Sequence, residues 1–225
     1  IRAARRKTHR KICILASLAF GTHVYPRDVH TEGITHVTLG DVGYAEAWGG
    51  VIKLIGEVKT LEYGKIQIEV CPMFVSRESQ LSSVDDVFNG IMVRGDATGD
   101  VVFYGKGAGK LPTASAVVAD VIDCVKHFKA RKYLFWEDAK PGYVEPYENM
   151  VEDVFIRAKG NDSDAAFEVV EQVFEGAERL IRREEEEGEI GFTVKDVKVK
   201  ELEARFARLK ELGVEPLNHI KISDF

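Results

Sequence analysis

Three cysteines in 225 residues, Cys13, Cys71 and Cys124, are too few and too scattered for a disulfide framework or a thiolate metal site. Their expected state is three free thiols in a reducing compartment. Long apolar runs are also missing. The best candidate, 11–20 (KICILASLAF), falls well short of the roughly 20 residues that span a bilayer, and reads as a buried helix ended by Gly21. Surplus positive charge is absent: 31 basic against 37 acidic residues leave a net charge of −6, the wrong sign for a nucleic-acid surface. The sequence opens without an initiator Met, and no secretory signal is expected in it. A basic cluster (Arg2, Arg5, Arg6, Lys7, Arg10, Lys11) runs straight into the apolar block with no small-residue cleavage site. The chain is therefore expected to be cytoplasmic, without a membrane span or a nucleic-acid partner, and its abrupt start points to a truncated parent. The six histidines (His9, His23, His30, His36, His127, His219) form no ligand cluster, so no metal is expected.

What is present is ordinary globular material, 45% hydrophobic and 30% charged. Residues 41–48 suit a short helix capped by Asp41 and broken at Gly49-Gly50. Strands are expected at 51–59 and 65–75, joined around Tyr63-Gly64. The second alternates, with Ile66, Ile68 and Val70 on a buried face and Gln67 and Glu69 on a polar one. A short helix at 81–87 is followed by a strand pair at 89–94 and 100–104 turned at 95–99, then a packed helix at 113–128. Pro141, Gly142 and Pro146 make 129–148 a linker. Beyond it come a strand (153–159), a helix (163–183) starting at Asp162-Ser163-Asp164, a strand (189–194), a helix (198–212) stopped by Gly213, and a strand (219–223). There is room for one more short strand near the acidic run 184–187, which reads as a solvated helix end. The fold class is α+β: a mixed sheet with packed helices over 1–128, then a small ferredoxin-like βαββαβ domain over 149–225.

Between a strand and a helix stands Gly105-Lys-Gly107-Ala-Gly109. Glycines permit positive φ and remove the Cβ that would block a ligand, while the next helix presents unsatisfied N–H groups and a partial positive charge. Pro112 suits the first turn. A Walker loop requires Ser or Thr after Gly-Lys and a Gly five before it. Here Leu111 follows Gly109-Lys110, and Tyr104 occupies the earlier position. A Rossmann fingerprint spaces its glycines differently and sits in a βαβ unit. A plain tight turn also remains open.

The longer stretch FYGKGAGKLPTASAVVAD at 103–120 is very similar to the signature near the end of the homoserine dehydrogenase catalytic domain. Further segments resemble that family in order: Lys11 to Gly21, Thr31 to Thr35, Tyr44-Ala45 through Gly56, and Ser83 to Asn89 before Gly95 to Gly99. The resemblance covers about 11–123. It implies reduction of aspartate semialdehyde to homoserine with NADP or NAD as cofactor, on the route to threonine, methionine and isoleucine. It also implies a catalytic α+β domain that forms a homodimer, and places the family's catalytic lysine on Lys11. It brings Gly107, Ala108, Gly109 and Thr113 close to the nicotinamide cofactor. Lys106 and Lys110 read as exposed loop lysines and Glu32 as a structural contact. Where the family carries aspartates and a glycine ahead of the lysine, this chain has Lys7, Arg5 and Arg2. A Rossmann domain is missing, so the chain alone is expected to be inactive. By position, 149–225 is the ACT-like regulatory domain, with threonine as possible effector. The Pro-containing turn usual after the first ACT strand is replaced by Lys159-Gly-Asn-Asp-Ser-Asp164. The alternative is a non-catalytic regulatory or dimerisation module.

Overall fold

The computed structural model describes residues 2–130 and 135–225, with side chains from Lys7 onward. The chain begins with α1 (Arg2–Phe20), β1 (His30–Thr31), α2 (Leu39–Trp48), β2 (Gly50–Thr60) and β3 (Ile66–Ser76). It continues through β4 (Phe88–Gly95), β5 (Gly99–Lys106) and α3 (Lys110–Lys126). It ends with β6 (Val151–Lys159), α4 (Ser163–Val173), β7 (Glu178–Leu180), β8 (Glu189–Lys198), α5 (Val199–Glu211) and β9 (Glu215–Ile222). Residues 1–76 and 135–225 make one compact unit and 77–134 a second.

In the first unit β2 and β3 pair antiparallel along their whole length, from Gly50↔Ser76 to Thr60↔Ile66. The turn between them holds Tyr63 and Gly64 at φ 58 and 73. The other edge of β3 takes two parallel partners, β1 at Glu69 and Val70 and β9 at Met73 and Phe74. From β9 the sheet runs on antiparallel through β6, β8 and β7. The last six elements thus have βαββαβ connectivity and the spatial order β9-β6-β8-β7, a ferredoxin-like split βαβ arrangement.

Strand β6 explains its own composition. Val154, Ile156 and Ala158 pack with Val170 of α4, Phe174 just beyond its end, and Leu202 and Leu209 of α5. Phe155 packs with Tyr44, Phe74 and Ile220. Both faces are covered at Val154, Phe155 and Ile156, so three apolar residues stand in a row there between charged neighbours. A third cluster joins Cys13 and Ala16 of α1 to Ile66 and Ile68 of β3. Helix α4 starts where expected, with Asp162 accepting from the N–H groups of Asp164 and Ala165 at 3.0 and 2.9 Å. In the second unit β4 and β5 form a hairpin from Phe88↔Lys106 to Gly95↔Gly99.

Several expectations change. The βαββαβ segment does not follow a separate sheet; β3–β9 pairing makes one seven-stranded mixed sheet. Within the expected linker, residues 131–134 lie outside the described residues. Its later part is tied to the sheet, since Glu145 donates its N–H to Ile66 and Val144 packs beside Ile66 and Cys13. Glu69 is buried rather than on a polar face. Residues 81–87 form turns, because Ser79 and Ser82 side chains compete for the local backbone. The 163–183 helix stops at Val173, and the chain turns at Gly176 (φ 75) into β7. The acidic run is a turn, with Glu186 on Lys159 at 3.1 Å. Thr38 is the cap of α2, with Asp41 as the reciprocal partner. Helix α3 buries none of its residues, and none of the described residues of its unit is buried.

Phe155→Ala is expected to cost about 3–5 kcal/mol, because a fully buried ring leaves a cavity against Tyr44 and Phe74. Leu39→Ala, at an 88% exposed position, should stay within about 0.5 kcal/mol. Urea denaturation of both variants checks the pair.

Candidate functional site

The glycine loop lies at the end of the β4–β5 hairpin, and its glycines are needed for different reasons. The N–H groups of Gly107 and Ala108 both turn back to the Val87 carbonyl, at 2.9 and 3.4 Å. A Cβ on Gly107 would overlap the Asn89 side chain. Gly109 precedes α3 with φ 120 and ψ 157, a region essentially closed to other residues. Its carbonyl accepts from the N–H of Thr113 at 3.2 Å and from its hydroxyl at 2.8 Å. Helix geometry leaves the N–H groups of Lys110 and Leu111 without a carbonyl one turn back, and Pro112 has none to satisfy. The result is a helix N-terminus with no Cβ at its mouth, the local form that accepts an anionic or flat ligand closely. Lys106 lies over the Phe88 ring at 5.9 Å, and Phe88 stacks on Tyr104. Lys110 is exposed.

Gly107, Ala108, Gly109 and Thr113 thus share one turn, while Lys11 belongs to the other compact unit. Lys11 stands exposed on α1, whose Cys13, Ala16 and Ser17 are buried. Ser17 donates to the Cys13 carbonyl at 2.7 Å and accepts from the Val24 N–H at 2.9 Å, which fixes the exit from the helix. Lys7 is also exposed, and the side chains at positions 2 and 5 lie outside the described ones. Glu32 pairs with His30 at 2.8 Å, and that imidazole lowers its pKa. The His30 ring stacks on Tyr147 with centroids 3.5 Å apart. Burial lowers the pKa of His219, which lies against Phe206. Among the described residues no group of three or more His, Cys, Asp or Glu side chains could hold a metal ion, and no helix is long and apolar enough to cross a membrane.

Sequence reasoning missed two buried polar networks. In the first, Arg157 on β6 lies 3.0 Å from Asp41 and 3.4 Å from Glu189, and Arg182 lies 2.8 Å from Glu189. Asn218 also donates to Asp41, at 2.9 Å. Two guanidiniums meet two carboxylates, so the charges balance. The available signal was glycine inside α2, where each costs about 1 kcal/mol relative to Ala. A Cβ on Gly40 would overlap the Arg157 guanidinium, and one on Gly43 would come within 3.2 Å of Arg182. In the second network, Lys221 of β9 meets Glu57, Glu69 and Glu152. Its signal was a single Glu inside the apolar run of β3.

The homoserine dehydrogenase family model matches residues 6–122. The chain is similar to the homoserine dehydrogenase of Synechocystis, 48% identical over 118 residues that make up 51% of this chain and 27% of the relative. It is similar to that of Helicobacter pylori at 34% over 163 residues, 72% of this chain and 38% of the relative. Among solved structures, a homoserine dehydrogenase from Thiobacillus denitrificans superposes with a TM-score of 0.80 at 27% identity, over 96% of this chain and 52% of that one. One from S. aureus gives 0.72 at 27% identity, over 96% and 53%. The chain spans about a quarter to two-fifths of the length of these sequence relatives and about half of the solved chains.

Gly109→Ala is expected to cost about 1–3 kcal/mol of local backbone strain, seen as lost amide-exchange protection over 110–126. Gly105→Ala, with open space around its Cβ, should leave that protection unchanged.

Proposed function

The chain belongs to the homoserine dehydrogenase family, and on that premise we propose that it carries the catalytic part of an enzyme that interconverts L-aspartate 4-semialdehyde and L-homoserine with NADP or NAD. The observation that carries this reading is the turn at 107–113, where a positive-φ glycine opens directly onto a helix N-terminus. Gly109 and Thr113, with Gly107 and Ala108 shaping the turn, fit a nicotinamide cofactor at close approach. That cofactor, when bound, supplies or accepts the hydride.

The chain's own chemistry concerns the oxygen. As an aldehyde carbon is reduced, negative charge grows on its oxygen, and an ammonium group can stabilise that charge and deliver a proton. Lys11 is assigned this role. Its exposure suits a group that must meet substrate, and the buried Cys13–Ser17 side of α1 holds the helix that presents it. The rest of the cofactor-binding surface is assigned to the portion of the relatives that this chain does not span, so the 225 residues by themselves are expected to show no turnover.

The βαββαβ segment is proposed to be an ACT-type regulatory module with threonine as effector, a reading supported by its strand order. Its first turn departs from the Pro-containing form. Gly160 instead closes it, donating to the Gly188 carbonyl at 2.8 Å, and a Cβ there would crowd Ala166. Exposed Val117, Val121, Ile122 and Val125 on α3 and Val93 and Phe103 on the hairpin support assembly, a homodimer in this proposal, and cytoplasmic placement goes with it.

The test is a chimera in which residues 6–122 replace the matching segment of the Synechocystis relative. Cofactor-dependent oxidation of homoserine is expected, and Lys11→Ala should lower kcat by about 10²–10⁴-fold. A chimera that folds and binds cofactor but turns over equally well with Ala at position 11 removes the lysine from the chemistry. Titration of the 225-residue chain with threonine in a calorimeter should give heat and raise its Tm; neither would appear if the C-terminal module is purely structural.

A further inference from the structure

The second buried network is unusual in its charge balance. Glu57 and Glu69 are direct partners across the β2–β3 ladder, a placement that is unfavourable for two like charges. Lys221, on β9, lies 3.0 Å from Glu57 and is hydrogen-bonded to Glu69. Glu152, near the start of β6, approaches the same ammonium at 3.6 Å. Its Oε1 is fully buried and receives no hydrogen bond. Three carboxyl groups thus surround one ammonium. Lys221 and Glu152 are both buried, and Lys221 lies in the short β3–β9 pairing, where only Met73↔Lys221 and Phe74↔Ile222 are in register.

Neutral groups and a further carboxylate also border this site. Cys71 on β3 donates to Glu69 at 3.5 Å, and burial raises its pKa and that of Tyr147, so both stay neutral. Glu32, just beyond β1, adds further negative charge and is hydrogen-bonded to His30 at 2.8 Å. Lys59 shares Glu57 at 3.3 Å but is also held by Asp224 at 2.9 Å.

We propose that Glu152, Glu69, Glu57 and Lys221 form a proton-operated latch between the β2–β3 hairpin and the βαββαβ module, closed while Glu152 carries a proton and loosened when it ionises. A protonated Glu152 donates toward the Glu69 carboxylate and leaves two carboxylates on the ammonium. Ionisation adds a third negative charge in a site with little water to screen it. Burial, and then the Glu69 carboxylate, push the Glu152 pKa from 4.5 up to about 7. The folded state therefore holds an extra proton between those values, and the stability contributed by this group is lost as pH rises through about 7. Lys221 is raised above 10.5 by its carboxylates despite burial, so its contribution persists across this range. His219 acts in the opposite direction: lowered from 6.5 by burial, it favours the folded state as pH rises. A comparison with a variant at position 152 separates the two.

The test uses the 225-residue chain between about pH 5.5 and about pH 8.5, the window set by the Glu152 shift. Infrared difference spectra should show a protonated-carboxyl band at the lower pH that disappears at the higher. Amide exchange at 73–74 and 220–222, corrected for the intrinsic pH effect, should accelerate roughly tenfold or more over the same interval. Glu152→Gln, which keeps the shape of the protonated acid, should lack the band and abolish the acceleration, leaving at most the opposite slowing from His219. Glu57→Gln, which frees the ammonium for Glu152, should move the band's loss to lower pH. No band in the unaltered chain, equal acceleration in Glu152→Gln, an unshifted band in Glu57→Gln, or a titrating band without change in exchange would each overturn the latch.

Discussion

Strand β3 is paired on both edges and buried on both faces, and most of the first unit is arranged to make that possible. Strand β2 closes one edge for eleven residue pairs, and β1 and β9 divide the other. Helix α1 covers Ile66 and Ile68, while Phe74 packs with Tyr44 of α2 and Phe155 of β6. A strand so enclosed has no room for an unmatched charge. Glu69 sits in its middle, so a cation has to reach it. Lys221 does so from β9, and the last strand of the chain is thereby tied to the third.

The two buried ionic networks show contrasting solutions to the same problem. Around Asp41 and Glu189 the charges are matched, two against two, and glycines in α2 leave room for the arginine side chains beside the helix. Such pairs contribute less to stability than their Coulomb energy implies, because desolvation opposes it, but breaking one partner away is costly. Around Lys221 the match is incomplete. That leaves a group that can respond to pH, placed where the hairpin meets the βαββαβ segment.

The second unit is organised differently. A two-stranded hairpin and one helix cannot bury much, and none of its described residues is buried. Its order comes from the backbone: a full hairpin register, paired N–H groups turned onto Val87, and a glycine conformation that launches α3. The same features that position this turn locally also keep Gly107 and Gly109 free of side-chain bulk. Gly107 is required by Asn89 and Gly109 by its φ angle, so two neighbouring glycines in one motif answer to packing and to conformation separately.

Much of this was legible in the chain itself. The β2–β3 hairpin followed from alternation and Tyr63-Gly64, the β4–β5 hairpin from its glycine-flanked turn, and α4 from Asp162, because periodicity and turn chemistry are local properties. The family membership was legible too, since its motifs are short and ordered along residues 11–123. Tertiary structure alone decided that β9 returns to β3 and merges the two expected sheets, because strand pairing across nearly 150 residues leaves no local trace. It also placed Glu69 inside rather than outside. Alternation identifies the two faces of a strand, but only the neighbouring elements determine whether the second face meets water or, as here, a lysine from the other end of the chain.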